Sequence, residues 1–270
     1  MSVLRTASVW VVAAVLTALA VAFFAALAVT QLTAEDTGQR VLRRSVAVTA
    51  GIDGSIPKIE TDLQAAAEQS DAETVRVPGF PVAVDLPREE ALTLKGEKLR
   101  ETLLDESAVA LYDEGTSAWV GNDSDAEQSI ERLSAAGLVD RGLGLVTNDV
   151  HTGFTIVTVL LGVVTLAMTA ILLAVLPRDA RLVALGLVTL AAALPSLAAA
   201  VGLRFAFRTA DADADEFVNG MLGIGADSMW VPIRNYLTLT ALGVGLLCLG
   251  SLLIWWEART LRGQGRLADS

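Results

Sequence analysis

Four runs of the chain, residues 6–34, 152–177, 182–203 and 235–256, hold no Asp, Glu, Lys, Arg or His. Each is longer than the ~20 residues that an α-helix needs to cross a bilayer. A long polar stretch separates the first run from the second. The pattern predicts an all-α membrane protein, with four transmembrane helices and a mainly helical extracytoplasmic domain inserted between helices 1 and 2. The expected divisions are a first transmembrane helix within 1–34, the extracytoplasmic domain over 35–151, and transmembrane helices over 152–177, 182–203 and 235–256. An acidic, glycine-containing outer loop is expected over 204–234 and a basic tail over 257–270. The first run outlasts the ~7–15-residue apolar core of a secretory signal, so it reads as an uncleaved signal anchor.

Within the polar stretch the period of apolar positions marks further elements. Val41, Leu42, Ser45, Val46 and Thr49 share one helical face, which would carry the first span onward into water. Ile56, Ile59, Leu63 and Ala66 make a second stripe after Pro57, a residue suited to a helix start. Residues 75–86 alternate at Val82 and Val84 but contain Pro78 and Pro81, which points to an edge strand or an extended connector. One long helix is expected over 87–113, with Glu89 and Glu90 in its first turn and Gly115 as its stop. Its seam is Leu92, Leu99, Leu103 and Ala110, widened by Leu104, Ala108, Leu111 and Tyr112. A last helix from near Asp125 would pass through Ile130, Leu133, Leu138 and Leu145 into the second span.

The spans themselves carry small and hydroxylated stripes. Ala14, Ala18, Ala22 and Ala26 recur every four residues, so a neighbouring backbone can approach that side closely. Thr155, Thr158, Gly162, Thr165 and Thr169 form a seam in the second span, and Ala241 and Gly245 add one in the fourth. Pro195 interrupts the third span and is expected to kink it. Trp230, Trp255 and Trp256 flank the fourth span as interface anchors.

Charge is segregated from this apolar mass. Hydrophobic residues make up 53% of the chain and mean hydropathy is +0.54, yet the isoelectric point is about 4.6. Residues 35–151 hold 23 Asp or Glu against 11 Lys or Arg, a net of −12. Phosphate binding relies on Lys and Arg, so nucleic acid is excluded as an expected partner. The expected partners are the lipid bilayer and either a membrane protein or a second copy of the chain. Arg178 and Arg181 fall in a turn short enough for the positive-inside rule, and Arg259, Arg262 and Arg266 lie in the tail. That distribution favours a plasma-membrane protein with cytoplasmic termini and residues 35–151 and 204–234 outside.

Candidate chemistry is sparse. Cys248 is the sole cysteine and sits among Leu residues in the last span, so no internal disulfide is available. His151, the sole histidine, lies beside Asp149 at the mouth of the second span. One imidazole and one carboxylate are too few for a usual zinc site, which takes three or four ligands, and His151 reads as an interfacial polar group. Asp211, Asp213 and Asp215 imitate the start of a calcium-binding loop and are the only metal candidates. Glu216 stands where that loop needs glycine and Leu222 where it needs glutamate. No nucleophile elbow, zinc-protease motif, phosphate loop or dinucleotide fingerprint occurs, and no cofactor is expected.

The layout resembles that of claudins, whose first loop carries a Trp-Gly-Leu-Trp and paired-cysteine signature that this chain lacks. It also resembles bacterial permease-like proteins of cell division and macrolide export, whose connection between spans two and three is longer than residues 177–181 here. Both resemblances are topological and assign no family. The leading expectation is a non-enzymatic envelope protein that senses, binds or scaffolds through its outer domain and a membrane partner. The alternatives are a subunit of an export or mechanotransmission complex with an ATPase, and a transporter, channel or membrane enzyme. Spans without ionisable groups weigh against coupled transport, whose pathways use such costly residues.

Overall fold

The computed structural model describes residues 2–50, 52–115, 117–120, 146–210 and 216–268. In chain order the described elements are α1 (Ser2–Leu32), α2 (Glu35–Ala50), α3 (Ile52–Gln69), β1 (Thr74–Arg76), β2 (Asp85–Pro87), α4 (Arg88–Thr93) and α5 (Gly96–Glu114). They continue as α6 (Ser117–Val120), α7 (Asn148–Val175), a 3-10 turn (Arg178–Ala180), α8 (Arg181–Thr209), α9 (Glu216–Ser228) and α10 (Trp230–Ala268). The helix expected from Asp125 through Leu145 lies outside the described residues. Two compact units result: Met1–Val29, Phe154–Phe205 and Met229–Ser270 form one, and Thr30–Gly153 with Ala206–Ser228 form the other.

Four helical stretches are long and apolar enough to cross a membrane, Ser8–Leu32, Asn148–Val175, Arg178–Thr209 and Val218–Thr260. Each overlaps one of the four uncharged runs of the sequence, and together they are consistent with a multi-pass membrane protein. In the unit they build, α8 and α10 lie antiparallel, with Val183 against Gly250, Gly186 against Leu247 and Leu190 against Gly243. Leu16 of α1, Leu172 of α7 and Val188 of α8 form one buried cluster, and Ala200 of α8 with Ile233 and Tyr236 of α10 form another. Most of the remaining apolar surface faces outward: only 11% of the hydrophobic window of α7 is buried. That is the exposure a lipid-facing helix requires, since lipid tails solvate apolar side chains as well as a protein core does. α8 runs unbroken through Pro195.

The second unit has a core of its own. Leu42 and Val46 of α2, Ile52, Ile59 and Leu63 of α3, and Leu99, Leu103, Leu104 and Leu111 of α5 are buried in it together with the hairpin valines. Leu42, Ser45 and Val46 of the stripe expected on α2, and Ile56, Ile59 and Leu63 of that on α3, are buried as expected. α3 begins at Ile52, so Pro57 lies inside the helix and not at its start. Residues 74–87 form a two-stranded antiparallel hairpin with Val75 opposite Leu86 and Arg76 opposite Asp85. Gly79 turns it with a φ of +68°, the left-handed conformation that glycine adopts without steric cost. Val75, Val77, Val82, Val84 and Leu86 all point into the core, which ties the strip to the helices.

The single helix expected over 87–113 is two helices. Leu94 and Lys95 are extended and Gly96 has a φ of +53°, so the chain turns between α4 and α5. The Glu60 carboxylate accepts the freed Gly96 N–H at 3.0 Å. This break changes the helical phase: Ala91 is buried, whereas Leu92, expected in the seam, is exposed. Gly115 ends α5 with a φ of +68° and its N–H on the Leu111 carbonyl, as expected of a helix stop. The expected outer loop over 204–234 is mostly helix, formed by the end of α8, by α9 and by the start of α10.

Candidate functional site

Four segments of the second unit converge on Thr33, in the two-residue interruption between α1 and α2. The last carbonyls of a helix have no intrahelical donor, so a helix that stops inside a protein must find others. The Ala34 carbonyl accepts the N–H groups of Thr37 and Gly38 at 2.9 and 2.7 Å, which starts α2. Glu35 and Asp36 in the first turn of α2 favour that start electrostatically. The Thr33 carbonyl accepts the Tyr112 hydroxyl at 2.9 Å. Thr33 Oγ1 donates to the Thr30 carbonyl and lies 3.3 Å from His151 Nδ1.

Tyr112 reaches Thr33 because Gly38 leaves its ring room. A Cβ at Gly38 would come within 2.9 Å of Cε2 of that ring. Burial, reinforced by the negative charges of Glu35 and Asp113, raises the Tyr112 hydroxyl above its ordinary value of 10.0. Periodicity identified Tyr112 as a core residue but carried no sign of its hydrogen bond, since the acceptor is a backbone carbonyl. His151, grouped with Asp149 on sequence, meets Thr33.

α9 packs on α2 within the same unit. A Cβ at Gly220 would lie 2.8 Å from Cγ1 of Val48, so the glycine sets how closely the two helices approach. Arg44 of α2 and Asp227 of α9 form a 3.0 Å ion pair, and Arg43 pairs with Asp105 of α5 at 2.7 Å. All four side chains are more than a third exposed, so each pair contributes less than about 1 kcal/mol. The apolar packing does more to hold α9 than the charges do.

The candidate helix-packing residues divide. Thr158 is buried, and Gly162 lies under Phe23 of α1, where a Cβ would come within 3.1 Å of the ring. Thr165 Oγ1 is buried without a hydrogen-bond partner among the described residues, while Thr169 bonds back to the Thr165 carbonyl at 2.8 Å. Ala26 is buried, but Ala14, Ala18 and Ala22 are exposed, and α1 instead buries Leu16 and Ala20. Ala241 and Gly245 are exposed as well. The close contact in the fourth span belongs to Gly243 and Gly250, where a Cβ would come within 2.9 Å of Leu190 and 2.8 Å of Val183 respectively. The Gly243 and Gly250 spacing of two helical turns was the signal for them, hidden among many small residues.

Trp230, Trp255 and Trp256 are all exposed. The Arg204 guanidinium lies 5.3 Å from the Trp230 ring centre and that of Arg259 lies 5.1 Å from Trp255. An arginine over an aromatic face joins an apolar body to a polar head, as groups at a membrane boundary do. Asp211, Asp213 and Asp215 lie outside the described residues. Among the described residues no three His, Cys, Asp or Glu side chains are placed to hold a metal ion, and Cys248 is exposed on α10. Comparison with protein-family models, curated proteins and solved structures returns no match to this chain.

Proposed function

We propose that this chain is a non-enzymatic, multi-pass protein of the plasma membrane that senses or binds a partner through an extracytoplasmic helical unit. The observation that carries this reading is the closure of two separate segments, Thr30–Gly153 and Ala206–Ser228, into one unit. In a chain of four spans, the segments after the first and third spans emerge on the same side. The packing of α9 on α2 thus supports that crossing pattern. The positive-inside rule, applied to Arg178 and Arg181, favours the outer side for this unit. Exposed acids such as Glu101 and Glu106 on α5 suit a partner that presents basic or hydrogen-bonding groups. The exposed faces of Ala18, Ala22, Ala241 and Gly245 suit close approach by a partner helix or a second copy.

Two measurements test the reading. A cysteine placed at Glu101 in a Cys248→Ser background should react with a membrane-impermeant maleimide on intact cells. Reaction only after permeabilisation would place the unit inside and overturn the orientation. Affinity purification of the full chain in mild detergent should recover a stoichiometric companion or a homo-oligomer. A lone monomer at every detergent concentration would overturn the partner reading.

A further inference from the structure

We propose that the groove between α1 and α8 binds one acyl chain of an anionic phospholipid, whose headgroup phosphate is met by Arg178 and Arg181. Val9, Ala13 and Ala14 form one wall, Ala184 and Ala191 the other, and Leu172 the floor, enclosing about 430 Å³. That volume falls within the ~300–1,000 Å³ typical of ligand pockets. Alanines on both walls leave space that larger side chains would fill.

Length and charge identify the occupant. From Ala180, in the turn before α8, to Ala191 on α8, the lining runs about 16 Å at ~1.5 Å per residue. That is one leaflet of a hydrocarbon core roughly 30 Å thick. A transmembrane partner helix would pack along the full depth, whereas an acyl chain occupies one leaflet. Ala180 lines the end of the groove and belongs to the Arg178–Ala180 turn. Arg178 is exposed there, and the Arg181 Nε–H donates to the Leu176 carbonyl at 3.2 Å, which anchors its guanidinium beside the turn. Asp179 is exposed in the same turn and offsets part of this charge. The net remains positive, and Trp10, 72% exposed, adds an aromatic wall.

The test is native mass spectrometry of the full chain released from nanodiscs of equal phosphatidylglycerol and phosphatidylcholine. One phosphatidylglycerol should stay bound. Its preference over phosphatidylcholine should fall about five-fold in Arg178→Gln and return in Arg178→Lys. Ala184→Trp, which fills the groove, should abolish retention. Equal retention of both lipids, a preference unchanged in Arg178→Gln, or a dimer that Ala184→Trp dissociates would overturn the proposal. If Ala184→Trp does not fold, the two Arg178 variants decide alone.

Discussion

The Tyr112 hydroxyl holds the Thr33 carbonyl at 2.9 Å, joining residues 79 positions apart at the point where α1 gives way to α2. A buried hydrogen bond of this kind contributes about 0.5–1.5 kcal/mol net. Tyr112→Phe should therefore destabilise the unit of Thr30–Gly153 and Ala206–Ser228 by that amount. Hydrogen exchange should show faster opening of α2 and the end of α5, and unchanged protection there would refute the assignment.

The same residue sets an alkaline limit. Burial and the charges of Glu35 and Asp113 favour the neutral phenol, so the folded value lies above the ordinary 10.0. The sign follows from linkage: the stabilisation is complete below the ordinary value and is lost as pH rises through the folded one. In a tyrosinate absorbance titration, the step that disappears in Tyr112→Phe should lie above the ordinary value. If the step lost in Tyr112→Phe lies at or below the ordinary value, the buried geometry is contradicted.

Glycines of the spans should differ sharply in tolerance. A Cβ at Gly186 would lie 2.9 Å from the Gly243 carbonyl oxygen and from the Leu247 amide nitrogen, both backbone atoms that cannot turn aside. Gly186→Ala should cost about 1–3 kcal/mol. Gly245 has nothing within 4 Å, so Gly245→Ala should be neutral or gain up to ~1 kcal/mol of helix propensity. Melting of the two variants in the same detergent provides the comparison.

Leu103 and Leu92 make a matching pair in the polar segment. Leu103 is fully buried in α5 and Leu92 is 38% exposed in α4. Leu103→Ala should cost about 2–5 kcal/mol, and Leu92→Ala should stay within about 0.5 kcal/mol. Equal losses would mean that the break at Gly96 does not exist in solution.

That break also shows where sequence reading runs out. Leu92 and Leu99 lie seven positions apart and fit one continuous helix, so periodicity alone joins α4 to α5. Gly96 was the contrary signal, but an isolated glycine is tolerated within many helices. The four spans were plain because a charge-free run of that length has few alternatives. The α8 and α10 contact was not, since Gly186 meets Gly243 only once both helices are placed, and the more regular alanine stripe of α1 stayed largely exposed. Tyr112 and Thr33 belong to the same class: a side-chain bond to a distant carbonyl leaves no pattern along the chain.

The division of one unit between two distant segments imposes an order on biosynthesis. α2 is complete well before α9 is made, because Phe154–Phe205 must be synthesised and inserted first. At ~5–20 residues per second, the roughly 170 residues between Val48 and Gly220 take about 9–34 s. Through that interval Val48 and its neighbours on α2 wait uncovered for Gly220. A nascent chain arrested before Ala206 would present that uncovered patch to chaperones and proteases, whereas one that has finished α9 would not.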